Sequence, residues 1–75
     1  MIYKYKDSIV DTPLAHVLYE KLMKTVHNDE YYTLCIMAEL HTDEHVQKMI
    51  DIIDTGETNT NKISLAAIDI YRGRI

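Results

Sequence analysis

The residues best suited to chemistry stand together at His41-Thr42-Asp43-Glu44-His45. In the spacing H-x-x-E-H, two imidazoles one turn apart on a helix can hold a zinc ion while the carboxylate beside them activates a water. That chemistry requires both histidines on one helical face. Thr42, followed by Asp43 and Glu44, reads instead as a helix cap: its hydroxyl can accept from the first free N–H groups, and the two carboxylates suit the positive end of the helix dipole. His41 then falls outside the helix and cannot share a face with His45. No further strong ligand cluster follows, so the expectation is a polar turn with no bound metal.

Other chemical candidates are weaker. His16 and His27 lie eleven residues apart, nearly on one face of a helix, where two solvated histidines are the simpler reading. Cys35 stands among Leu34, Ile36 and Met37, so its thiol is expected to be buried and inert rather than a nucleophile. The only glycines are Gly56 and Gly73, which cannot form a phosphate-cradling loop. No catalytic residue and no cofactor are expected, and a helical domain of this size rarely encloses the pocket of roughly 300 Å³ or more that small molecules use. The protein reads as a non-enzyme.

The elements that must position these residues are constrained by size. At 75 residues and 47% hydrophobic content the chain has the composition of one globular domain, residues 1–75. A chain this short hides only about 60% of its unfolded surface, so its core is thin. The start of the sequence lacks the apolar run of a signal peptide, and nowhere is there a stretch of about 20 apolar residues to cross a bilayer. With Cys35 alone, no disulfide can form within the chain, which favours a reducing, cytoplasmic setting. Membrane attachment is not expected.

Periodicity points to an all-α fold, a bundle of four short helices after a short extended N-terminal arm. Residues 1–6 alternate, with Met1, Tyr3 and Tyr5 on one side. Thr12 and Pro13 open a helix over 13–27, whose stripe is Leu14, Val17, Leu18, Leu22 and Val26. Residues 30–40 are ambiguous, since Tyr, Thr and Ile favour a strand while the length, the acidic start and the Met-Ala-Glu-Leu ending favour a helix. A helix there is apolar around most of its circumference. The alternative is an α+β fold in which 31–38 is a strand pairing with 1–6. A third helix spans 43–55 with Val46, Met49, Ile50 and Ile53 inward and Ile52 off that stripe, stopped by Gly56. A fourth spans 61–72, with Ile63, Ala66, Ala67 and Ile70 inward, Leu65 and Ile68 elsewhere, and Gly73 as its stop.

Charge separates the function classes. The net charge is −4, but residues 28–57 alone carry −7, an acidic belt made of Asp29, Glu30, Asp43, Glu44, Asp51, Asp54 and Glu57 together with Glu39, against Lys48. Such a belt disfavours nucleic acid, because release of phosphate counterions rewards clustered Lys and Arg. The runner-up reading keeps a helix-turn-helix-like regulator that uses residues 58–74, with Asn59, Asn61 and Lys62 at a recognition helix and Arg72 and Arg74 on phosphates. Its turn is too long and its helix too apolar for that role. The leading expectation is a protein–protein interaction or regulatory module. Six tyrosines with no Phe or Trp suit surfaces that are apolar yet tolerate water. Two helices that are apolar on most sides cannot both be wrapped by two amphipathic ones, so a homodimer is expected, with Tyr3, Tyr5, Tyr32, Ile52, Leu65, Ile68 and Tyr71 as interface candidates. The acidic belt would offer a second surface to a basic protein partner.

Overall fold

The computed structural model describes residues 12–75. The described residues form four helices: α1 (Pro13–Thr25), α2 (Glu30–Ala38), α3 (Asp43–Asp54) and α4 (Thr60–Tyr71). The expected arm over 1–6, with its Tyr3 and Tyr5, lies outside the described residues. The all-α reading holds, and residues 31–38 are helix throughout, so the α+β alternative is excluded for that segment.

Every helix starts on a side-chain cap. Thr12 Oγ1 accepts from the N–H of Ala15, Asp29 Oδ1 from Tyr32, Thr42 Oγ1 from His45 and Asn59 Oδ1 from Lys62. Each bond satisfies a donor that the helix itself cannot, and each cap holds its helix by about 1 kcal/mol. Asp29 settles the strand-versus-helix conflict over 31–38. Its side chain caps the helix while its carbonyl accepts both the N–H and the hydroxyl of Thr33, so a β-branched residue is turned into a helical contact.

All four helices stop one or two residues earlier than periodicity predicts. Helix α1 ends at Thr25 rather than 27, because His27 and Asn28 adopt left-handed backbone, with φ of 56° and 66°. The N–H of Asn28 then reaches the carbonyl of Met23 at 2.7 Å, closing the end as a Schellman motif with a histidine where glycine is usual. Helix α2 ends at Ala38 rather than 40, since the N–H groups of Glu39 and Leu40 bond three residues back, to Ile36 and Met37. Helix α3 ends at Asp54, one residue short of the predicted 55, with Gly56 left-handed at φ 96°. Helix α4 is shifted to 60–71 and ends as predicted on left-handed Gly73, where Arg74 N–H bonds Asp69 and Gly73 N–H bonds Ile70.

The core draws on every helix: Ala15, Leu18 and Leu22 from α1, Ile36 and Met37 from α2 with Leu40 after it, Val46, Met49, Ile50 and Ile53 from α3, and Ile63, Ala67 and Ile70 from α4. Helix α1 packs on α3 and α2, and α4 packs on α3 and along the side of α2. The predicted stripe of α1 is rotated. Ala15 replaces Val17 in the interior, Leu14 packs from the margin, and Val17 is left 45% exposed. A row 15-18-22-26 follows the helical repeat, and the methyl of Ala15 lets the backbone come close where a valine would hold it off.

Candidate functional site

The H-x-x-E-H segment adopts the arrangement that its cap implies. His41 lies outside α3, its N–H donates to His45 Nδ1 at 3.3 Å, and its ring rests against Tyr71 with centroids 5.2 Å apart. His45 therefore uses one ring nitrogen to close the turn, beside the bond from its own N–H to Thr42. No group of three potential metal ligands forms among the described residues. His16 and His27 are both exposed, and Cys35 is half-buried rather than fully enclosed.

The acidic belt is largely engaged within the chain. Asp29 caps α2. Glu30 Oε2 accepts from the Tyr19 hydroxyl at 2.7 Å, Asp43 Oδ1 from Thr12 at 2.6 Å and Asp51 Oδ1 from Gln47 at 2.9 Å. Asp54 pairs with Lys21 at 2.9 Å, and Glu57 accepts from the N–H of Asn59. Glu44 alone of the seven has no partner among the described residues. The bond to Glu30 raises the pKa of the Tyr19 hydroxyl above its ordinary 10.0, because ionisation would break it; burial and the adjacent negative charge act in the same direction. The belt's carboxylates thus fasten caps and join α1 to α2 and α3, a use that segment charge does not reveal.

The interface candidates divide into two sets. Tyr32 and Ile52 are half-buried and pack against the core. The Tyr32 hydroxyl reaches the carbonyl of Thr60 and lies 2.8 Å from Ser64 Oγ, so it fastens α2 to the first turn of α4. Leu65, Ile68 and Tyr71 face outward from α4: Leu65 is 61% exposed, Tyr71 53%, and Ile68 is half-buried. Beside them, α2 presents Tyr31, 60% exposed, then Cys35 and Ala38 at the i, i+4, i+7 spacing of one helical row. The Tyr32 clasp holds α2 beside α4, and the turn after α2 touches the end of α4 where His41 meets Tyr71. Sequence reasoning selected Leu65, Ile68 and Tyr71 but missed Tyr31. Its signal was the i+4 spacing to Cys35 on a helix whose opposite side, Thr33 and Met37, had to face inward.

An open cleft of about 770 Å³ lies where the end of α1 meets the starts of α2 and α4, lined by Lys24, Thr25, Val26, His27, Asp29, Tyr32, Thr58 and Thr60. Among its titratable walls Lys24, His27 and Asp29 are exposed and Tyr32 is half-buried. No helix among the described residues is long and apolar enough to cross a membrane. Comparison with protein-family models, with curated proteins and with solved structures finds no match for the chain.

Proposed function

We propose that the protein is a small non-enzymatic interaction module that associates with itself through the outer face of α2 and α4. The observation that carries this reading is the exposure of Tyr31, Leu65 and Tyr71 on two adjoining helices, with Cys35, Ala38 and Ile68 completing the surface. Apolar side chains gathered on one face gain about 25 cal/mol for each Å² they hide from water. A second copy is the occupant that the charges favour. The chain carries −4, and the carboxylates of Asp43, Glu44, Asp51 and Asp54 sit on α3, so two copies that meet through α2 and α4 keep that acidic helix out of the contact. The margin of the apolar face carries both signs, Glu39 and Asp69 against Lys62 and Arg72, and a two-fold contact can match these against each other.

The engaged carboxylates make a basic protein the weaker candidate for a partner, and the −4 charge and the apolar α4 argue against nucleic acid. With Cys35 unable to pair within the chain, a reducing compartment such as the cytoplasm suits the protein. Light scattering across a concentration series tests the reading. A mass rising from 8.8 kDa toward twice that value supports it, and a mass fixed at 8.8 kDa up to millimolar protein refutes it.

A further inference from the structure

Resting on that reading, we infer that the two copies pack α4 against α4 in antiparallel orientation, with the two-fold axis beside Leu65 and with Lys62 of each copy paired to Asp69 of the other. Lys62, Leu65 and Asp69 are spaced i, i+3, i+7 and so form one row on α4, outside the buried row of Ile63, Ala67 and Ile70. Lys62 and Asp69 stand about 10 Å apart along the helix axis at 1.5 Å per residue, one on each side of Leu65. That separation is too great for them to pair within one helix. Neither side chain has a partner among the described residues, whereas Lys21 and Lys48 both do.

An antiparallel pair crossing midway between Lys62 and Asp69 turns this row into its own complement. Lys62 meets Asp69 twice, once on each side of the axis, and the Leu65 side chains meet at the centre with Ile68 beside them. A parallel pair sets lysine on lysine and aspartate on aspartate. Sliding the antiparallel pair by one turn toward the C-terminal end brings Lys62 opposite Arg72, again like on like. The charges therefore select one orientation and one register, while the apolar residues supply the attraction.

Charge reversal tests this with the whole chain, using sedimentation to measure self-association and circular dichroism to check that each variant stays folded. Lys62→Glu and Asp69→Lys should each weaken self-association about tenfold, since each places like charges together at two points of the contact. An equimolar mixture of the two single variants should associate more tightly than either alone, because opposite signs face each other at both points. The combined variant Lys62→Glu/Asp69→Lys should return to within about threefold of the original. Equal self-association of all four proteins, or a mixture no tighter than its components, overturns the antiparallel pairing while leaving self-association intact. A monomeric wild type overturns the interaction reading itself, and this pairing with it.

Discussion

Helices α3 and α4 have the same length, twelve residues, and both bury one side in the same core, yet their outer sides differ in kind. On α3 the outward residues are Asp43, Glu44, Gln47, Asp51 and Asp54, and most of them are tied by hydrogen bonds or an ion pair to neighbouring side chains. On α4 the outward side carries Leu65, with Ile68 at its margin and Tyr71 lying against His41. A helix with a polar outer side needs only its own bundle. One that exposes large apolar groups still has surface to hide, and this difference is why the proposed contact is placed on α4 rather than α3.

The inner side of α4 gives the largest test of that contrast. Ile70 is fully buried, and Ile70→Ala should cost about 2–5 kcal/mol in urea unfolding at dilute protein, whereas Leu65→Glu should change the stability of the monomer by no more than about 0.5 kcal/mol. The same Leu65→Glu change should weaken self-association at least about tenfold, near 1.4 kcal/mol, by setting two carboxylates on the axis. Equal stability losses for both variants would mean that Leu65 belongs to the core and that the contrast is false. On α3, Thr42→Ala removes the cap on His45 and should cost about 1 kcal/mol while leaving self-association unchanged. Asp54→Asn removes the ion pair with Lys21, whose members are 38% and 53% exposed, and should cost at most about 0.5 kcal/mol, less in high salt.

The smallest effect concerns pH. The Tyr19 hydroxyl ionises less readily in the folded chain than in the unfolded one, so its contribution is fully present below the unfolded pKa of about 10.0 and is lost as pH rises through the higher folded value. Urea midpoints measured from pH 9 to 11.5 should fall more steeply for the wild type than for Tyr19→Phe. Identical slopes would remove the Tyr19–Glu30 bond from the account.

The parts that could be read from the sequence are those governed by local rules. Thr12 with Pro13, Thr42 with Asp43 and Glu44, and the two glycines mark helix starts and stops through the chemistry of a few neighbouring residues, and they emerge close to where they were expected. The same reasoning places His41 outside α3. What escaped it depends on neighbours distant in the chain. The inward turn of Ala15 in place of Val17 depends on how α1 meets the rest of the core. The left-handed pair His27 and Asn28 replaces a glycine signal that the sequence lacks. Three carboxylates of the acidic belt, Asp43, Glu30 and Asp54, looked like free surface charge because their partners Thr12, Tyr19 and Lys21 come from α1 and its cap, up to 33 residues away. Within the candidate face, Leu65 and Ile68 were legible as apolar residues off the buried row. Tyr32 was expected on that face but fastens α2 to α4 instead, through a clasp to Thr60 and Ser64 that spans 28 and 32 residues and so lies beyond local rules.

Whether the outer face of α2 and α4 is where the protein meets its own kind can be read from the amide chemical shifts of isotope-labelled wild-type protein followed on dilution. Concentration-dependent shifts are expected at Tyr31, Cys35, Leu65, Ile68 and Tyr71, with Glu44, Gln47 and Asp51 on α3 unmoved. Shifts centred on α3, or none across a thousandfold dilution from millimolar protein, would contradict that placement.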